Sequence, residues 1–369
     1  MKIFPATLRG TVTPPRSKSV LHRELICQAL CGQAPRVDEE SEDVQTTLRA
    51  LEALRRGEIL IDCGESGSTL RFLLPVAAAM GRVGTTFTGS FRLLQRPVPA
   101  GLPLARTEKG WRIESPLQSG VYRLDGSRTS QMTSGLLLAL PLLEGDSLLY
   151  AEAPVSSGYV DLTVSILGRY GIRVEKTPDG YRIPGGQQYC VTALKNEMDW
   201  SAAAWYAAVN RLGMQVYING YQEESHQPDR AIINYVNDLP EVIDISQTPD
   251  IFPVLSLLAA LQTGKTTRLI RCGFLRDKES DRLQNTFAIL RALGVEAERS
   301  GESLTVHGRH RLQGGAVIDP RGDHRMAFLA AFAALFCDSA IALQDPLCVK
   351  KSYPRFWEDY AALGGKYEE

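Results

Sequence analysis

The sequence predicts an α/β protein built from an internal repeat, and three observations carry that reading. Six times an apolar, helix-like segment is entered through a short polar stretch: Ser17-Lys18-Ser19, Glu65-Ser66-Gly67-Ser68, Thr129-Ser130-Gln131, Met198-Asp199-Trp200-Ser201, Thr248-Pro249-Asp250 and Asp323-His324-Arg325. Each segment ends near a glycine, or at Asp338 in the last copy, and a short extended run follows. Most copies then continue with a second, amphipathic helix and a hairpin-like stretch.

The elements follow in order. Met1 to Pro5 begins like a strand, and the first helix ends at Leu30-Cys31-Gly32. A helix over Glu42–Arg56 runs almost directly into extended Glu58–Asp62, so this copy lacks a full hairpin. The next two apolar helices end at Ala79-Met80-Gly81, before Thr85-Thr86-Phe87, and at Leu143-Glu144-Gly145, before Ser147–Tyr150. Glycine just past a helix is a C-cap, and the β-branched or apolar run after it reads as a strand. Arg169–Pro184 predicts a helix end and a hairpin turning at Asp179-Gly180. Leu212-Gly213 precedes the strand Gln215–Ile218, and Pro228–Leu239 leads almost directly to Glu241–Ile245, the second copy without its hairpin. Thr263-Gly264 precedes Thr266–Leu269. The clearest amphipathic helix is Asp281–Leu293, with Leu283, Phe287, Leu290 and Leu293 on one stripe and Arg282, Asn285 and Arg291 elsewhere. Val295–Glu298, Ser300-Gly301 and Ser303–Val306 form the hairpin behind it, and Cys337-Asp338 precedes a last strand at Ile341–Leu343.

Bulk properties narrow the function. The chain has 369 residues, room for two ordinary domains, and a net charge of −1 from 41 basic and 42 acidic side chains. No global basic field for nucleic acid exists, so any positive site is local. No apolar run approaches the length of about 20 residues that a membrane span needs; the best candidate, Met326–Phe336, fits a buried helix. No N-terminal signal segment is read, and the seven scattered cysteines form no CxxC pair, so reduced thiols in the cytoplasm are expected.

The helix entries carry the chemistry. A helix start offers unpaired N–H groups and the positive end of the dipole, so six of them with Lys or Arg alongside suggest a highly anionic ligand. Ser19 can cap the first helix, with Arg23 one turn in on a similar face. Arg71 in the first turn after Glu65-Ser66-Gly67-Ser68 opposes the dipole, which favours an anion role over a structural one. Arg276–Arg282 packs six charges into seven residues; Asp281 suits a cap, but Lys278 and Arg282 stand at the positive end. Asp323-His324-Arg325 is driven against a very apolar helix, which is costly unless it faces a ligand. Lys350 and Lys351 add two cations near the C-terminus. His307 and His310 lack a third ligand nearby, so no metal is expected. There is no P-loop, GxGxxG or GxSxG pattern.

Together these residues resemble the EPSP synthase family of enolpyruvyl transferases. Lys278-Glu279-Ser280-Asp281-Arg282-Leu283 and Asp323-His324-Arg325-Met326 are the most specific matches; Lys18-Ser19 with Arg23, Ser130-Gln131 and Lys351-Ser352-Tyr353-Pro354 follow in the expected order. The resemblance runs from about Lys2 to Phe356. It implies a two-domain enolpyruvyl transferase fold, each domain three βαβαββ-like units with two units shortened here. The implied domains are 1–14 plus 197–369, and 15–196, with the active site in the cleft between them. The implied reaction joins the enolpyruvyl group of phosphoenolpyruvate to the 5-hydroxyl of shikimate 3-phosphate and releases phosphate, with no cofactor.

Carried over by motif, Asp250 is the base for the 5-hydroxyl, Glu279 handles the proton at the methylene carbon, and Lys18 assists as an acid. Lys18, Ser19, Arg23, Thr129, Ser130, Gln131, Ser156, Asp250 and Lys278 hold shikimate 3-phosphate. Lys18, Gly67, Arg71, Arg96, Gln131, Arg282, Arg325 and Lys351 hold phosphoenolpyruvate, while Tyr159 and His324 line the cleft. The family pattern also suggests that glyphosate competes with phosphoenolpyruvate beside Gly67. Two departures stand out: Glu65 and Phe274 replace asparagines common in the family. The alternatives are a non-catalytic anion-binding homologue and a UDP-N-acetylglucosamine enolpyruvyl transferase. A cytoplasmic monomer without nucleic-acid or membrane partners is expected.

Overall fold

The computed structural model describes residues 1–38, 41–99 and 101–369. They divide into two compact units, one formed by Met1–Ser17 with Glu197–Glu369 and the other by Lys18–Asn196. Arg16 and Ser17 belong with the first unit because Arg16 bridges Met198 and the Ser17 N–H bonds the Glu197 carbonyl at 2.7 Å.

A four-stranded sheet of constant order recurs four times. In the Lys18–Asn196 unit, Leu60–Asp62 pairs parallel with Thr86–Thr88, which pairs antiparallel with Trp111–Ile113, and that strand with Leu104–Arg106 at the edge. Val121–Asp125, Ser147–Glu152, Gly180–Ile183 and Glu175–Thr177 repeat the order. In the other unit it recurs as Val242–Asp244, Thr266–Ile270, Ser303–His307 and Glu296–Ser300. The fourth copy borrows the start of the chain: Val317–Ile318 and Ile341–Leu343 are followed by Lys2–Phe4 and then Lys366–Glu368.

The two shortened copies are visible as missing strands. One keeps only the parallel pair Arg9–Val12 and Gln215–Ile218, with Val216 opposite Gly10. The other, around helices Lys18–Leu30 and Glu42–Arg56, has no strand among the described residues between them. These two helices are held instead by the Lys18–Asp43 ion pair at 2.7 Å and the His22 Nδ1–Thr47 Oγ1 hydrogen bond at 2.7 Å.

In every complete copy an apolar helix connects the two parallel strands, and its N-terminus follows the first of them. A helix apolar on all sides must be buried on all sides. All nine residues of Phe252–Ala260 and all eleven of His324–Ala334 are buried. Trp205, Phe328, Phe332 and Phe356 form an aromatic core beside the latter, with ring centroids 5.2 Å apart for Trp205–Phe332 and 4.6 Å for Phe328–Phe356. Polar side chains at these helix starts are therefore carried into or onto a core, where each needs a partner.

Candidate active site

In the Lys18–Asn196 unit, side chains tie four helix starts together. Arg23 is buried, and its guanidinium donates to Thr163 Oγ1 at 2.7 Å, the Tyr159 carbonyl at 2.9 Å, the Ser19 carbonyl at 2.6 Å and Ser134 Oγ at 3.4 Å. Its plane also covers Phe72 at 4.8 Å. All of these partners are neutral, and burial pushes the guanidinium down to about 10. A buried cation without a carboxylate is costly to fold. A bound anion would remove that cost.

Arg71, also buried, donates to Gln131 Oε1 at 2.9 Å and to the Pro97 carbonyl at 3.1 Å, while Gln131 Nε2 donates to Ser68 Oγ at 3.1 Å. The Pro97 carbonyl thus draws the loop that carries Arg96 toward the same place. Gly67 makes room for both: a Cβ there would lie 2.8 Å from Arg96 Nη1 and 3.0 Å from Arg71 Nη1. Ser156 stands before helix Ser157–Arg169 with φ 57°, and its buried hydroxyl has no hydrogen-bond partner. A serine in the left-handed region is strained, and a buried hydroxyl left unpaired costs more. Both features suit a ligand that accepts from it or donates to it.

In the other unit Arg282 is the centre. It is 2% exposed and meets three carboxylates: Asp323 at 2.9 Å, Asp250 at 2.8 Å, and Glu279. Asp250 is also held by Arg325 at 2.7 Å, and Arg325 reaches Ser201 Oγ at 3.2 Å. Burial alone would raise the Asp250 carboxyl, but Arg325, Arg282 and Lys278 overcome it and hold the group well below the usual carboxylate range. Burial would likewise lower Arg282, and Asp323, Glu279 and Asp250 together drive it above its ordinary value. Asp323 caps helix His324–Ala334 through the Arg325 N–H at 3.0 Å and accepts from Ser280 Oγ at 3.0 Å. One carboxylate therefore fixes the Ser280–Arg282 turn to the Arg325 helix start. Lys351 is buried at the end of a 3₁₀ helix, Pro346–Lys351, that packs against His324–Ala334.

The comparisons with known proteins agree on one family. The family model for EPSP synthase (3-phosphoshikimate 1-carboxyvinyltransferase) matches residues 55–240 and 237–360. The chain belongs to the EPSP synthase family. A 3-phosphoshikimate 1-carboxyvinyltransferase of Clostridium kluyveri is 36% identical, covering all of this chain and 98% of the relative. One from Clostridium botulinum is 35% identical over the same shares. An EPSP synthase structure from Acinetobacter baumannii shares the fold at TM-score 0.77 and 22% identity, with 98% of each chain covered. The alignment to the Clostridium kluyveri protein spans 425 positions against 369 residues here, so the relative carries segments that this family member lacks.

Within each unit the structure gathers most of the residues expected from the sequence, with three corrections. Ser19 does not cap: the helix begins at Lys18, so Ser19 lies inside the first turn. At the start of helix Gln131–Ala139 the Thr129 hydroxyl accepts from the Gln131 N–H at 3.2 Å. Arg71 stands one turn into helix Gly67–Ala79 rather than in its first turn, where Ser66 is the cap. Arg282 does not lie away from the buried stripe of its helix; it is among the most buried side chains of the unit, because three carboxylates compensate it.

Sequence reasoning gave no role to Asp323 as a brace, to Asp43 as the Lys18 partner, or to Thr163 and Ser134 as Arg23 acceptors. Asp323 carried a signal in its cap position ahead of an apolar helix. The others are long-range contacts with no local pattern. His324 is buried with its ring edge-on to Phe328 at 5.9 Å, inside the core. Tyr159 is buried and offers its carbonyl to Arg23. Glu65 is exposed.

Proposed function

We propose that this chain transfers the enolpyruvyl group of phosphoenolpyruvate to the 5-hydroxyl of shikimate 3-phosphate and releases phosphate; its relatives are named 3-phosphoshikimate 1-carboxyvinyltransferases. The observation that carries the reading is a matched pair of needs. One unit holds a buried Arg23 with only neutral partners, together with an unpaired Ser156 hydroxyl. The other holds two carboxylates, Asp250 and Glu279, among Arg282, Arg325 and Lys278. Cations alone would serve an anion-binding protein; acids placed among them serve proton transfer.

The residues take these roles. Lys18, Ser19, Arg23, Thr129, Ser130, Gln131, Ser156 and Lys278 bind shikimate 3-phosphate. Gly67, Arg71, Arg96, Gln131, Arg282, Arg325 and Lys351 bind phosphoenolpyruvate.

The ion pairs suggest how the acids are released for work. In the free protein Asp250 is too well stabilised to be a good base. Phosphoenolpyruvate competes for Arg282 and Arg325, and as those guanidiniums turn to the substrate, burial moves the Asp250 carboxyl back up. It then takes the proton of the 5-hydroxyl as that oxygen attacks. Glu279, freed from the same Arg282, delivers a proton to the methylene carbon and removes one when the tetrahedral intermediate expels phosphate. Lys18 protonates the leaving phosphate.

The same reading makes the enzyme a cytoplasmic monomer that needs neither metal nor cofactor, and seven free thiols suit that reducing compartment. No described helix is long and apolar enough to cross a membrane. Proton NMR of the protein mixed with both substrates tests the reading: enol-ether vinyl protons should appear on the shikimate product. A folded protein whose melting temperature rises with shikimate 3-phosphate, but which yields no such product, would favour the non-catalytic homologue.

A further inference from the structure

We infer that Phe274 is a positioning residue for Lys278, its aromatic face holding the ammonium in place before the substrate arrives. The inference rests on the reading of Lys278 as a shikimate 3-phosphate ligand. The Lys278 ammonium lies 5.3 Å from the centroid of the Phe274 ring, within the range of a cation–π contact. The ring itself is buried, 7% exposed, so its face is a fixed surface.

The backbone explains why the platform is rigid. Arg271 takes a φ of 57°, and the Cys272 N–H bonds the Glu302 carbonyl at 2.8 Å. Gly273 lies against the Glu302 side chain, whose carboxylate is 2.1 Å from where a Cβ would stand. The 3₁₀ helix Gly273–Asp277 then runs directly into Lys278, its C-terminal cap. Ring and ammonium thus sit on one short, locked segment. A lysine on a flexible four-carbon stem loses rotamer entropy when it is fixed on a ligand. A ring that holds the ammonium beforehand lowers that cost at the binding step.

The test is steady-state kinetics of the full chain with Phe274→Leu, Phe274→Tyr and Phe274→Trp, varying each substrate in turn. Phe274→Leu should raise KM for shikimate 3-phosphate roughly 3- to 30-fold, the range of a cation–π contact. Its kcat and its KM for phosphoenolpyruvate should stay within about twofold, and Tyr and Trp should restore the wild-type KM. A structural defect would lower kcat and melting temperature together and would not be rescued by ring identity. Unchanged KM in Phe274→Leu, or a Tyr variant as impaired as Leu, overturns the inference.

NMR of Lys278, assigned with Lys278→Arg, reads the contact without turnover. Its ε-methylene protons should be shifted upfield by the ring in the wild type and return to ordinary values in Phe274→Leu. Ordinary values in the wild type would also overturn the inference. If the wild type makes no product yet shows the ring shift, the functional reading has failed and the positioning contact stands.

Discussion

Replacing Arg282 with Met should be among the most damaging single changes in its unit, and the damage should depend on pH. The side chain is 2% exposed and meets Asp323 at 2.9 Å, Asp250 at 2.8 Å, and Glu279. Methionine keeps most of the volume, so the loss is chiefly of charge. Asp250 retains Arg325 at 2.7 Å, but Asp323, with its side chain 0% exposed, loses its guanidinium. Removing one partner of a buried pair costs about 3–5 kcal/mol, because the other charge stays buried and unpaired. The sign with pH follows from linkage. Orphaned buried carboxylates have folded-state pKa values raised above the unfolded ones, so they destabilise more as pH rises and less once protonated. The assay is urea unfolding followed by tryptophan fluorescence, since Trp200, Trp205 and Trp357 all lie in the unit of Arg282. A loss of about 3 kcal/mol or more at pH 8, shrinking toward pH 5, is expected. A loss under about 1 kcal/mol, or the same loss at both pH values, would refute the reasoning.

Three further outcomes follow from the geometry. Burial, opposed by Asp43 and reinforced by Lys18 and Arg23, lowers the His22 imidazole from 6.5 to about 3. The folded state then binds fewer protons than the unfolded one, so His22 should cost stability as pH falls from about 6.5 to about 3, by up to about 1.4 kcal/mol per pH unit. A stability–pH curve of His22→Gln should be flatter in that window, and an unchanged slope would remove the assignment. Gly67→Ala should raise KM for phosphoenolpyruvate about tenfold, because the new Cβ crowds the Arg71 and Arg96 guanidiniums, and should spare shikimate 3-phosphate; equal effects on both would contradict this. Ser156→Ala should not lower ligand-free stability, since it deletes a buried unpaired hydroxyl, yet it should weaken shikimate 3-phosphate binding about tenfold by calorimetry; a stability loss with unchanged binding would point to a structural role.

Much of this was legible in the chain because the repeat punctuates itself. Glycines such as Gly81, at φ 72° with its N–H on the Ala78 carbonyl at 3.1 Å, mark helix ends that local chemistry sets. The helix starts were legible for the same reason, as Ser66, Asp199, Asp281 and Asp323 show by capping where their residue types predict. The compensation of buried charge was not legible. Arg282 reads as the polar face of an amphipathic helix, and only the fold brings Asp250 and Asp323, 32 and 41 residues away, to its two sides. Nor could the sequence show that Arg23 has neutral partners from residues as distant as Thr163, 140 positions on. Periodicity reports which face an element buries, whereas compensation of a charge is a property of the packed unit.

The central claim is that the acids among these cations perform chemistry. Phosphate release on mixing the purified protein with shikimate 3-phosphate and phosphoenolpyruvate tests it most directly, with each substrate alone as control and Lys18→Ala and Glu279→Ala alongside. The account predicts release that requires both substrates and falls roughly 100-fold or more in either variant. No release from a folded wild-type protein that still binds shikimate 3-phosphate, or full release in either variant, would contradict it.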